Sequence, residues 1–167
     1  APGGFVALMA AALAIPGVSL SSKLFFAALG RDPDDEEARD YFDAASAALI
    51  ENVCKPDLII LAGYRRRLGA MILRRYRNRV VNLYPGDTTK GYLVRGVDAS
   101  IQAIRAGERS IKCTVYLERE DVRFGPALAQ SEPISLAGYR EEDAGAVNGL
   151  IRSKGEWMVF PYAVHEL

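Results

Sequence analysis

Hydrophobic and polar positions follow a helical period in the best-defined segment of the chain. Apolar residues recur three or four positions apart across the stretch 31–57, which predicts a helix with one buried face. Asp32 can cap this helix, and Pro33 suits its first helical position. Pro56 is expected to end it, since the residue before a proline disfavours helical geometry.

Short, uninterrupted apolar runs alternate with these helical patterns. Apolar runs predict strands at 23–29 (KLFFAAL), 58–63 (LIILAG), 80–84 (VVNLY), 111–118 (IKCTVYLE) and 126–134 (PALAQSEPI). Helical patterns predict helices at 5–14, 66–79 and 97–107, the last closed by Gly107, and a mainly helical segment at 141–167. The alternation indicates an α/β fold: one domain over residues 1–167, with an open, mostly parallel, Rossmann-like sheet and helices on both faces.

Asn82 is a polar residue at the end of the apolar run 80–84. Ligands of open α/β sheets bind beyond the carboxyl ends of the strands. We therefore expect 63–64, 82–84 and the loop after Leu117 to share one edge of the sheet. Asn82 is either a strand-end amide satisfied by backbone or part of a site floor.

The charge balance excludes some classes of partner. The chain has 21 basic and 21 acidic residues, which argues against a general polyanion-binding protein, so no nucleic-acid partner is expected. The arginine-rich segment 65–79 is interpreted as a solvated face. One histidine and two distant cysteines, Cys54 and Cys113, predict no metal site and indicate reduced thiols in the cytoplasm.

Residues 1–22 carry no charge. Pro16 interrupts this stretch and no basic residue precedes it, so neither a signal peptide nor a membrane span is expected. The exposed apolar stretch instead predicts a partner surface, such as one between copies of the chain in a homo-oligomer.

Five blocks between residues 33 and 165 resemble, in order, the formyltransferase family typified by glycinamide ribonucleotide transformylase. KPDLIILAGYRRRL resembles the family's PDLVVLAGF-RIL, RVVNLYPGD its NIHPSLLP, GVDASIQAIRAG its GLHAHEQALAAG, CTVYLEREDVRFGPALAQ its CTVHFVDE-VDTGPIIAQ, and EWMVFPYAV its EH-LYPEAV. The resemblance implies formyl transfer from 10-formyltetrahydrofolate to a small-molecule amine such as glycinamide ribonucleotide, a step of purine biosynthesis. The family's N-terminal strand region is expected to be shortened here.

The resemblance also implies a catalytic set that this chain has altered. Asn82 matches the family's catalytic Asn, but Tyr84 replaces its His and Arg123 its Asp; Asp98 and Tyr116 replace two further histidines. A phenol and a guanidinium can stabilise an oxyanion, but with unperturbed pKa values of about 10 and above about 12 neither is a good base. The sequence thus predicts a divergent formyltransferase with slow transfer. The alternative is a degenerate homologue that binds a folate- or nucleotide-like ligand, or a protein partner, without turnover.

Binding residues follow from the same blocks. The resemblance implies that folate contacts come from Leu61, Gly63, Tyr64, Arg66, Leu68, Glu120, Asp121 and Val122. It implies that Gly3 and Gly4 supply amides for the phosphate of the amine substrate, and that Glu156 contacts its ribose. For Glu156 a surface position on a helix is the competing interpretation.

Overall fold

The computed structural model describes residues 5–64, 66–91 and 97–167. The chain divides into two compact units, the first formed by residues 1–59 and 66–77 and the second by 60–65 and 78–167. The α/β class is confirmed. The assignment of residues 1–167 to a single domain stays a prediction.

The first unit is helical. Its helices are α1 (Phe5–Ala12), α2 (Ser22–Leu29), α3 (Glu36–Val53) and α4 (Ala70–Arg75). The strand predicted at 23–29 is wrong, because these residues form α2. Ser21 caps α2 by accepting a hydrogen bond from Leu24 N, and Gly30 ends it in the left-handed region at φ 63°.

Helix α3 begins three residues later than the sequence predicts. Asp35, rather than Asp32, is the N-cap residue and accepts a hydrogen bond from Ala38 N at 2.9 Å. Asp32 instead accepts one from Asp34 N at 2.7 Å, so Pro33 lies in a turn before the helix. Phe42 of α3 packs against Phe25 and Phe26 of α2, with ring centroids 5.2 and 5.4 Å away.

A buried carboxylate of α3 holds the start of α4. Asp43 is 2% exposed and accepts a hydrogen bond from Gly69 N, an amide that the first turn of α4 leaves without a helical partner. Burial raises the pKa of Asp43 to about 6, and the bond from Gly69 opposes this rise. A Cβ at residue 69 would lie 2.5 Å from Asp40 Oδ1 and 2.8 Å from Asp43 Oδ2, so a larger residue there would force these carboxylates to move.

The second unit contains the strands and the C-terminal helices. Its four-stranded sheet has the order β1-β2-β4-β5, and β3 and β6 form a separate pair. The strands are β1 (Ile59–Leu61), β2 (Val80–Tyr84), β3 (Ser110–Ile111), β4 (Thr114–Leu117), β5 (Ala127–Gln130) and β6 (Ile134–Ser135). The helices are α5 (Ala99–Arg105), α6 (Ala144–Leu150) and α7 (Trp157–His165), with a short 3-10 turn at Glu141–Asp143 and a π-helical turn at Ile151–Glu156.

The sheet is mixed, and this changes which loops meet. Strand β4 runs antiparallel to β2 and to β5, with Val81 opposite Leu117 and Tyr84 opposite Thr114. The carboxyl end of β4 therefore lies beside the start of β2. The expectation that the loop after Leu117 leaves from the same edge as 82–84 is wrong, because that expectation assumed parallel strands.

The helical C-terminal segment is confirmed, and it packs through a close contact. Gly155 in the π-helical turn lies against Cys113, where a Cβ would overlap the thiol sulfur. Val115, Val147 and Ile151 are almost completely buried around this part of the core.

Candidate active site

Strands β2 and β4 place a set of polar side chains on one face of the sheet. Side chains alternate between faces along a strand, and directly opposed residues share a face. Asn82 lies opposite Tyr116, and Tyr84 lies opposite Thr114, so these four residues share a face. The chain stays paired beyond β4, because Glu118 N donates to Val80 O at 2.9 Å. Glu118 therefore continues the face that carries Asn82 and Tyr116.

Three of these side chains form a hydrogen-bonded cluster, which we call the amide–phenol–carboxylate cluster (Asn82, Tyr116, Glu118). Asn82 is 8% exposed, and its Nδ2 donates to Tyr116 Oη at 3.1 Å and to Glu118 Oε1 at 2.7 Å. Tyr116 Oη donates to Glu118 Oε1 at 3.0 Å. The amide nitrogen of Asn82 thus bonds side chains, and only its Oδ1 takes a backbone group, Leu83 N at 2.8 Å.

The loop between β4 and β5 covers this face with an aromatic ring. The ring of Phe124 lies 4.8 Å from that of Tyr84 and 5.3 Å, edge to face, from that of Tyr116. Arg123 Cζ lies 5.1 Å from the Phe124 ring centre. Tyr84 and Arg123 are therefore brought to the same side as Asn82.

Both tyrosines of the site are held in the protonated form. Burial raises the pKa of Tyr116, and the nearby Glu118 charge raises it further. Burial also raises the pKa of Tyr84, with the Arg123 cation opposing that rise. Each phenol is consequently a hydrogen-bond donor, and neither is a base at neutral pH.

The turn after β2 is fixed by its own hydrogen bonds. Asp87 Oδ1 accepts from Thr89 N at 3.0 Å, Thr89 Oγ1 at 2.6 Å and Gln130 Nε2 at 2.9 Å. Burial raises the pKa of Asp87, but the bonds from Thr89 and Gln130 outweigh it and leave that pKa lowered. Thr114 Oγ1 donates to Gly86 O at 2.8 Å and ties the same turn to β4. This carboxylate is thus committed to holding the turn.

The residues predicted to contact folate are spread over several settings. Leu61 is buried, Gly63 has φ 70°, and Tyr64 is half-buried, all in the second unit. Glu120, Asp121 and Val122 are exposed in the loop after β4.

The other predicted folate residues lie in the first unit. The Arg66 guanidinium is 5.4 Å from the centre of the Phe26 ring, and Leu68 is buried. Both have packing partners there, and their contact with folate stays a prediction.

The structure describes one of the three residues predicted to bind the amine substrate. Gly3 and Gly4 lie outside the described residues. Glu156 ends the π-helical turn and is half-buried; burial raises its pKa, and Arg152 opposes the rise. Its contact with the ribose stays a prediction.

Sequence reasoning missed Glu118 and Phe124. Glu118 stands where the family block CTVHFVDE has a valine, so a carboxylate in place of an apolar residue was the available signal. Its alternation with Tyr116 would then have placed it on the same face of the strand as Tyr116. Phe124 carried no such signal, because its contacts depend on how the loop folds back.

Two searches of the described ranges concern metals and membranes. No three His, Cys, Asp or Glu side chains there are grouped as a metal ion requires. Within the same ranges, every helix is too short or too polar to cross a bilayer.

The chain matches a known protein family. The sequence profile of the family described as Formyl transferase matches residues 14–159. The chain belongs to the formyl transferase family, which confirms the resemblance of its five blocks.

The similar proteins carry more particular names. The chain is 31% identical over 130 residues to the trifunctional purine biosynthetic protein adenosine-3 of Drosophila melanogaster, which covers 78% of this chain and 9% of that protein. It is 36% identical over 74 residues to the phosphoribosylglycinamide formyltransferase of Bacillus subtilis, covering 44% of this chain and 36% of that one.

A solved structure shows the same fold. The crystal structure of phosphoribosylglycinamide formyltransferase from Bacillus halodurans superposes with a TM-score of 0.71 at 28% identity, over 99% of this chain and 76% of that one. The alignments to the curated relatives cover only part of those proteins. The alignment to the Bacillus subtilis protein spans 36% of the length of that protein.

Proposed function

We propose that the protein transfers a formyl group from 10-formyltetrahydrofolate to a small-molecule amine such as glycinamide ribonucleotide, in the cytoplasm, as a step of purine biosynthesis. Membership of the formyl transferase family supports the reaction class. The observation that carries the proposal is the buried amide of Asn82, which lies on the same sheet face as Tyr84 and beneath the loop that bears Arg123.

The proposed roles follow from what each group can donate. Attack of the amine on the formyl carbon produces an oxyanion, and Asn82 Nδ2 donates to it in place of the Tyr116 hydroxyl. Tyr84, kept protonated by its burial, is a second donor. The Arg123 cation stabilises the same negative charge from the loop.

The binding roles rest on the family resemblance. In this proposal the folate ring lies against Leu61, Gly63 and Tyr64 and the loop segment 120–122. Glu156 binds the ribose of the amine substrate. The uncharged N-terminal stretch mediates association between copies of the chain.

A second candidate function is supported by the bonds of Asn82. Both amide hydrogens of Asn82 are already used, one by Tyr116 and one by Glu118. If these bonds persist when ligand binds, the protein binds a folate- or nucleotide-like ligand without turnover.

A titration combined with a turnover assay tests both candidates. The purified protein is titrated calorimetrically with a stable 10-formyltetrahydrofolate analogue, and formyl transfer to glycinamide ribonucleotide is followed in parallel. Micromolar binding together with transfer is the expected result. Binding without transfer supports the second candidate. No binding by protein whose circular dichroism shows it folded overturns both.

A further inference from the structure

Formyl transfer requires a group that removes a proton from the attacking amine, and the family-matched positions lack one. Tyr84 is a phenol whose pKa is raised by burial, and Arg123 is a cation. A base must therefore come from elsewhere on the same face of the sheet, within reach of the Asn82 amide.

We propose that Glu118 is this base, a carboxylate that takes the proton from β4 instead of from the position now held by Arg123. The inference rests on the proposed formyl transfer. Its geometric basis is the bond of 2.7 Å from Asn82 Nδ2 to Glu118 Oε1. The group that would stabilise the oxyanion and the carboxylate are thus direct neighbours.

The two oxygens of Glu118 are used differently. Oε1 accepts from Asn82 Nδ2 and from Tyr116 Oη, which fixes the plane and direction of the carboxylate. Oε2 has no hydrogen-bond partner within the described ranges, and the side chain is only partly buried. One oxygen is therefore anchored, and the other is open to a proton.

Other carboxylates near this face are less suited. Asp87 Oδ1 already accepts three hydrogen bonds within the turn after β2. Asp98 is exposed and bonded to Asn148 Nδ2 at 3.2 Å. Glu120 and Asp121 are exposed in the loop, at positions that were matched to folate binding.

Several titratable and charged groups of the described residues interact with one another around Glu118. Tyr116 interacts electrostatically with both Glu118 and Tyr84, and Tyr84 in turn with Arg123 and Asp98. Arg119 follows Glu118 in the loop. Because Tyr116 stays protonated, it donates to Glu118 Oε1 and holds the carboxylate in place.

The proposed step is balanced in atoms and electrons. The amine lone pair forms a C–N bond to the formyl carbon, and the carbonyl electron pair moves to the oxygen, which accepts a hydrogen bond from Asn82. Glu118 Oε2 then takes a proton from the new ammonium. As the bond from carbon to the folate nitrogen breaks, Glu118 returns that proton to the folate nitrogen, and the oxyanion electron pair re-forms the carbonyl.

Two substitutions separate this role from a structural one. Glu118→Gln keeps an oxygen that accepts from Asn82 and Tyr116 but cannot carry the proton. Glu118→Ala removes both functions. Glu142→Gln in the 3-10 turn is the matched control, and each variant is assayed for kcat, for kcat/KM against pH, and for binding of the stable folate analogue.

The expected result is loss of catalysis without loss of binding. Glu118→Gln lowers kcat by about 100- to 10,000-fold, the usual contribution of a general base, while its affinity for the analogue is unchanged. The pH profile of kcat/KM of this variant differs from that of the wild type, a change that a carboxylate with a purely positioning role would not cause.

Two outcomes contradict the inference in different ways. If Glu118→Gln keeps wild-type kcat and pH profile while Glu118→Ala loses affinity and stability, Glu118 only positions Asn82 and the base is elsewhere. If the folded wild-type protein transfers no formyl group at all, the proposed function fails first and the role of Glu118 fails with it.

Discussion

Asp43 and Asn82 are both buried polar residues, but they are satisfied in different ways. Asp43, 2% exposed, accepts a hydrogen bond from a backbone amide, Gly69 N, at the start of α4. Asn82, 8% exposed, directs its amide nitrogen to two side chains, Tyr116 and Glu118. The first arrangement is explained by the fold, because that amide needs a partner.

The second arrangement has no such explanation. Side chain to side chain bonds are a small share of protein hydrogen bonds, and a cluster of three is costly unless every member is satisfied. An apolar residue at 118 would leave the strand pairing of Val80 and Glu118 intact, since that bond is between backbone atoms. The comparison teaches that the partner of a buried polar group, rather than its burial, separates a structural role from a chemical one.

Removing the amide of Asn82 should produce the largest effect on activity. We expect Asn82→Ala to lower kcat about 100- to 1,000-fold, as loss of one oxyanion donor does. The free energy of unfolding should fall by only about 1 to 3 kcal/mol, through the unsatisfied Tyr116 and Glu118. Steady-state kinetics and urea unfolding measure the two quantities. Asn148→Ala, which removes an amide elsewhere in the second unit, is the control. An unchanged kcat in Asn82→Ala would show that Asn82, like Asp43, has a structural role only.

Restoring the family residues should sharpen the comparison further. In a Glu118→Gln background, Tyr84→His together with Arg123→Asp supplies a new base, and we expect kcat to recover by about 100-fold. In the wild-type background, where Glu118 already serves, the same pair should gain less than about tenfold. Equal gains in both backgrounds would show that Glu118 is not the base.

Asp43 should affect stability and its dependence on pH. Its pKa is raised from 3.8 to about 6 in the folded protein, so the folded state binds more protons than the unfolded chain between these values. Protonation therefore favours folding, and stability contributed by this group falls as the pH rises from about 4 to about 6. The loss, about 2 to 3 kcal/mol, is complete above that window.

Asp43→Asn should remove this dependence. Asparagine keeps an oxygen for Gly69 N without burying a charge, so the stability of the variant relative to wild type should increase between pH 4 and pH 7. Urea unfolding at several pH values measures the difference, with Asp57→Asn at an exposed position as control. A difference that stays constant across this range would mean that Asp43 does not carry the proton.

The sequence predicted the elements whose patterns were long or flanked by clear signals. Helix α3 was found from its periodicity and strand β2 from its apolar run. The apolar run 23–29 was assigned to a strand because short apolar runs do not distinguish the two structures. Ser21 before it and Gly30 after it were the signals for a helix.

The site was predictable only as far as the family resemblance reached. Asn82, Tyr84 and Arg123 were located from matched blocks, and the structure places them on one side of the sheet. Glu118 could not be assigned a role, because its position beside Asn82 depends on the antiparallel pairing of β2 with β4. The residue pattern of a buried strand does not state the direction of its neighbour.

The close packing of Gly155 against Cys113 has a practical consequence for experiments on this protein. Cys113 is fully buried and burial raises its pKa to about 12, so its thiol stays protonated and shielded from reagents. Cys54, the other cysteine of the chain, is exposed. A maleimide fluorophore should therefore attach at one position of the folded wild-type protein, which allows single-site labelling without any engineered residue.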